Sequence, residues 1–220
     1  MFRMKGPTSL CLIVIAAMLP ILWAGCGGGS SSSNNMSQAQ AQAVTAEIST
    51  AVAQALASAF GLNLPAEKSV RPSLSTVVGD IRPNQASGCT PTANGENCDW
   101  PISDSGPCPQ GGTIAVTGDV DATLDNTGDG SVNSQLAVTP ANCGVSSLVI
   151  NGDPSIGVGL QMSFTDLAPV FPITLSEDGG ISYGPNPSGS CKFNVTYTIT
   201  SKTSCTITGT ACGQSVNGSC

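Results

Sequence analysis

The 220-residue chain contains no histidine. That absence removes the Ser-His-Asp and Cys-His constellations of nucleophilic catalysis. It also removes every zinc site built on imidazole. Basic residues are scarce: seven Lys and Arg stand against fourteen Asp and Glu, a net charge of −7. No basic patch is available to neutralise phosphates, which excludes nucleic acid as a partner. Aromatic residues make up 4% of the chain. A stacking platform for bases or sugar rings therefore has few rings to draw on. No Cys-x-x-Cys pair occurs. The longest apolar stretch, Leu10 to Trp23, is 14 residues, short of the ~20 that a helix needs to cross a bilayer.

That stretch belongs to a leader. Arg3 and Lys5 supply a positive start, Leu10 to Leu19 an apolar centre, and Ala24 and Gly25 the small residues before a cut. Cys26 follows, and then a Gly/Ser/Asn run from Gly27 to Asn35. The segment Ile21-Leu22-Trp23-Ala24-Gly25-Cys26 resembles the processing site of bacterial lipoproteins. The resemblance implies removal of residues 1–25, lipid attachment at Cys26, a tether over 26–37, and a membrane partner reached through the lipid. Gly27, rather than aspartate, after the cysteine implies the outer membrane. Two or more acyl chains hold a protein at a bilayer stably, where one holds it marginally. With Arg3 and Lys5 gone, five basic residues face fourteen acidic ones, a net charge of −9.

Eight cysteines remain after Cys11 in the leader and Cys26: Cys89, Cys98, Cys108, Cys143, Cys191, Cys205, Cys212 and Cys220. An even number in an exported domain points to disulfides, here up to four. The spacing does not choose among the pairings.

Residues 38–61 form a predicted helix, with Val44, Ile48, Val52 and Leu56 on one stripe and Ala55 and Ala59 beside it. Asn35 or Ser37 can cap its start, and Gly61 can end it. Residues 62–112 carry prolines throughout and read as irregular, stapled by cysteines. Within them Ser73 to Ile81 is a candidate strand through Leu74, Val77 and Val78. From 113 to 220 the apolar residues alternate. Ile156, Val158, Leu160, Met162 and Phe164 form one such set, and Phe193, Val195, Tyr197 and Ile199 another. Period two puts each set on one face of a strand. Turn signals stand at 126–130, 151–154, 177–180 and 183–189. The expected fold is mainly β: a single antiparallel sheet as meander, sandwich or half-barrel. One N-terminal helix packs on it, disulfides cross-link it, and residues 38–220 make one domain.

The sharpest local motif is Asp125-Asn126-Thr127-Gly128-Asp129-Gly130 with Asn133 beyond it. Oxygens at Asp125, Thr127, Asp129 and Asn133 follow the start of a calcium loop. Leu136 stands where such a loop needs its last carboxylate, and a hairpin turn wants the same Asn, Asp and Gly residues. Asp119 and Asp121 lie close by on one strand face. The remaining acids show no spacing that singles out a catalytic pair. The function read from the sequence is a non-enzymatic exported lipoprotein with a structural or protein-interaction role at the cell envelope and no cofactor. One alternative is a carrier of an apolar ligand, lined by Ile156 to Phe164 and Phe193 to Ile199. The other is a hydrolase using calcium or carboxylates.

Overall fold

A computed structural model describes residues 36–62, 73–82 and 88–220. The leader 1–25, Cys26 and most of the tether lie outside the described residues. Helix α1 (Gln38–Ala59) starts where Ser37 closes a capping box: its hydroxyl accepts from the Gln40 N–H, and the Gln40 side chain accepts from the Ser37 N–H. It ends in a Schellman arrangement. Gly61 adopts φ +62°, and the N–H groups of Gly61 and Leu62 reach back to the carbonyls of Ser58 and Ala57.

Eleven strands form one antiparallel sheet. They are β1 (Cys89–Thr92), β2 (Gly95–Pro107), β3 (Thr113–Asp125), β4 (Gly130–Ala141), β5 (Cys143–Val145), β6 (Leu148–Thr165), β7 (Ala168–Gly184), β8 (Gly189–Ser201), β9 (Ser204–Ala211), β10 (Gln214–Ser215) and β11 (Gly218–Ser219). The path runs β1-β2-β3-β4-β6-β7-β8-β9-β10, with β5 beside β6 and β11 beside β9. Its two ends do not pair, so the sheet stays open. Helix α1 nevertheless touches β2 and β3 near one end and β9 and β10 at the other. The sheet therefore curls toward a half-barrel, and α1 sits across the open seam.

The alternation works as period two requires. Val158, Leu160, Val195 and Ile199 are buried with Val44, Ile48, Val52 and Leu56 of α1 in one core. The expected lining of an apolar-ligand cavity is thus a filled interior covered by the helix. The helix is also buried more widely than one stripe, at Ala41, Ala53 and Ala57 as well, because a second helix packs on it. That helix is α2 (Leu74–Asp80), capped by Ser73.

Helix α2 corrects the reading of Ser73 to Ile81 as a strand. Leu74, Val77 and Val78 are buried together, at helical spacing rather than at period two. The reading of 62–112 as irregular also fails over 89–107. Strand β2 buries Cys98, Trp100 and Ile102 in strict alternation, and its prolines tolerate the strand. Two predicted turns, 151–154 and 177–180, are not turns. The first is a bulge within β6, where the register shifts between Gly152 and Ile156. The second lies inside β7. A Cβ on Gly179 would meet the Ser155 carbonyl at 2.4 Å, and one on Gly180 the Asp153 carbonyl at 2.8 Å. These glycines admit the bulge of the neighbouring strand; they do not reverse the chain.

Candidate functional site

All eight domain cysteines pair: Cys89 with Cys98, Cys108 with Cys143, Cys191 with Cys212, and Cys205 with Cys220. The first joins directly opposed residues of the β1–β2 hairpin. The second ties the end of β2 to β5, and the last two fasten β8, β9 and the C-terminal residues. Four disulfides fit an exported, non-cytoplasmic protein. Glu96 lies against the first pair, whose sulfurs are committed to each other.

The Asp125 loop is a hairpin turn built around one carboxylate. Asp125 Oδ1 accepts from the Thr127 N–H at 2.8 Å, the Thr127 hydroxyl at 2.6 Å and the Asp129 N–H at 2.9 Å. These donors, the Thr127 hydroxyl foremost, hold the Asp125 carboxyl below the ordinary aspartate range. Asp129 Oδ1 in turn accepts from the Asp166 N–H at 2.9 Å, which ties this turn to the one between β6 and β7. Asn133 does not join the loop. It stands opposite Asp121 in the β3–β4 ladder, four residues or about 13 Å along β3 from Asp125. Asp119 is farther still. The structure brings Asp125, Thr127 and Asp129 together and leaves Asn133, Asp119 and Asp121 out on the strands.

The outer face of the sheet carries most of the strand-borne acids. Asp99 and Asp121 are directly opposed across β2 and β3, both exposed. Asp178 is exposed on β7 and accepts from the Asn194 side chain at 3.5 Å. The rest of this face is mostly Thr, Ser, Gln, Asn and Gly, with Val149, Val170 and Lys192 among them, and open hollows of about 470 and 340 Å³ hold Asp153 with Asp178 and Asp99 with Asp121.

One strand-borne acid is sealed inside the core. The inner row of the ladder through Ile102, Gly118, Leu136, Val158, residue 177, Val195 and Gly209 is apolar except at Glu177. Glu177 is 1% exposed, and neither carboxyl oxygen has a hydrogen-bond partner. Tyr197 occupies the adjacent inner row, opposite Leu175 and Ile207. It is thus the diagonal neighbour of Glu177, within reach of a long side chain. Its hydroxyl is also enclosed without a hydrogen bond of good geometry. The two groups still feel each other. Burial pushes the Glu177 carboxyl up to about 8, tempered by the Tyr197 phenol. Burial, and then the Glu177 charge, push the phenol up, while the Ser49 hydroxyl of α1 pulls it down. A carboxyl in an apolar site stays neutral because the anion loses its solvation.

Ser49 and Tyr197 both line a groove of about 460 Å³. It runs between α1 and the C-terminal end of the chain, past Thr45, Thr50, Ile207 and Val216. Sequence reasoning missed Glu177 because a Glu-Asp-Gly-Gly run looks like a turn. The signal that could have found it was the parity of Ile173, Leu175 and Glu177 on one strand.

Compared with known protein families, curated proteins and solved structures, the chain matches none.

Proposed function

We propose that this is an exported lipoprotein, anchored through Cys26 to the bacterial cell envelope and to its outer membrane. There it serves a structural or protein-interaction role without catalysing a reaction. The observation that carries the reading is the agreement between the two cysteine sets. The eight cysteines of the folded domain pair among themselves, which leaves Cys26, at the end of a leader, free for a lipid. The outer face supports an interaction role, being broad, hydroxylated and poor in cations. A carrier of an apolar ligand is the second reading. The groove beside α1 favours it, since the inner face of the sheet is filled.

Intact mass of the protein extracted from native membranes without reductant tests the proposal. The expected mass is that of residues 26–220 plus acyl chains, less eight hydrogens for four disulfides. Retention of residues 1–25, or an unacylated Cys26, contradicts the anchor. Additional mass lost only on denaturation moves the assignment to the carrier.

A further inference from the structure

We infer that Glu177 and Tyr197 form a proton-operated latch for α1: the helix stays seated across the open seam while Glu177 is neutral, and ionisation of Glu177 releases it. The geometry sets up this linkage in steps. Both Glu177 oxygens are enclosed and unpartnered, between Val158 and Val195 as cross-strand neighbours. Only the Tyr197 phenol tempers the cost of a charge there. Among the described residues no cation is positioned to help. Arg82 donates to the carbonyls of Gly79 and Ile81. Lys202 bridges Asp80, and Lys192 is exposed on the outer face of β8. The polar and titratable groups of the surrounding inner elements are the Tyr197 phenol on β8, Ser134 on β4, the Trp100 indole on β2, and Ser49 and the buried Glu47 on α1. The one further acid among them, Glu47, supplies no cation.

An ionised Glu177 must therefore reach water. The sheet resists opening, because β7 is hydrogen-bonded along both edges to β6 and β8 and the four disulfides among the described residues lie within 89–220. Helix α1 carries no disulfide among the described cysteines, and four of its ten buried residues are alanines. Ser49 lines the same groove as Tyr197, and Tyr197 is the diagonal neighbour of Glu177 across β7 and β8. The groove already admits solvent along that flank. Lifting α1 is the least costly way to hydrate the carboxylate. Segments with few strong ties open first in folded proteins.

Hydrogen exchange of the full chain and of Glu177→Gln from pH 5 to 9 tests the latch. The ratio of α1 protection in the wild type to that in the variant is expected to fall about tenfold per pH unit as the carboxyl becomes chargeable. The β6–β8 amides, which open only with global unfolding, should fall with the same slope from a much higher protection, so that α1 stays the less protected segment at every pH. Equal α1 profiles in the two proteins would overturn the inference, and so would α1 and β6–β8 amides that share one opening free energy. If the variant fails to fold, carboxyl-carbon NMR of wild-type Glu177 decides. A titration near pH 8 accompanied by shifts in α1 supports the latch. A titration in the ordinary carboxylate range, or one that α1 does not sense, refutes it.

Discussion

Glu177 and Asp178 are adjacent in the chain and live in different solvents. Asp178 faces outward beside Asn194 and is exposed. Glu177 faces inward between valines and is sealed. Nothing local in the sequence separates them except parity on strand β7. The same contrast holds for the whole sheet: one face is a packed core under α1, and the other is a field of hydroxyls and acids in water. A single-residue slip would exchange the two faces. Register is therefore fixed by the cost of moving this whole set of side chains together.

The contrast breaks most readily from the inside. Leu160→Ala, in the fully buried inner row, is expected to cost about 2–5 kcal/mol by urea unfolding. Its neighbour Gln161→Ala on the outer face should stay within about 0.5 kcal/mol. Comparable losses at the two positions would mean that the faces are not as distinct as their burial. Ser37→Ala removes the capping box of α1 and should lower stability by about 1 kcal/mol. The first-turn amides of the helix should lose protection before those of the sheet. Asp178→Asn is the smallest change, within about 0.5 kcal/mol, and should leave the thermal midpoint nearly where it was. A large shift there would show that the outer face bears on folding.

Much of this fold is legible in the chain. Ile156 to Phe164 and Phe193 to Ile199 announce their strands, because a sustained period of two matches a pleated strand and no helix. Ser37, Gly61 and the stripe between them announce α1. The misreadings share a physical cause. Gly, Asp and Pro signal a departure from ideal backbone without saying which kind. At 126–130 they reverse the chain. At 152–156 they make a bulge, and at 179–180 they receive it. Strand β2 is hidden by its prolines, which lie on outward positions with Trp100 and Ile102 turned in. Of the proposed loop ligands, Asp125, Thr127 and Asp129 share a turn because they are local. Asn133 departs because the ladder begins at Gly130. Glu177 could be found only by carrying strand parity through a run that looks like a turn.

Whether Glu177 is a neutral acid on the inner face is read most directly from unfolding free energy against pH, in the wild type and in Glu177→Gln. The carboxyl is raised from 4.5 to about 8 in the folded protein, so the folded state holds a proton that the unfolded state has lost between those values. The stabilising contribution is whole below about pH 4.5 and falls as pH rises, by about 1.4 kcal/mol per unit. By pH 7 the loss from this group is about 3 kcal/mol. Glu177→Gln should lack this component, so the wild type should weaken relative to the variant as pH climbs from 4.5 to 8. Parallel curves for the two proteins across that window would contradict a neutral, buried Glu177.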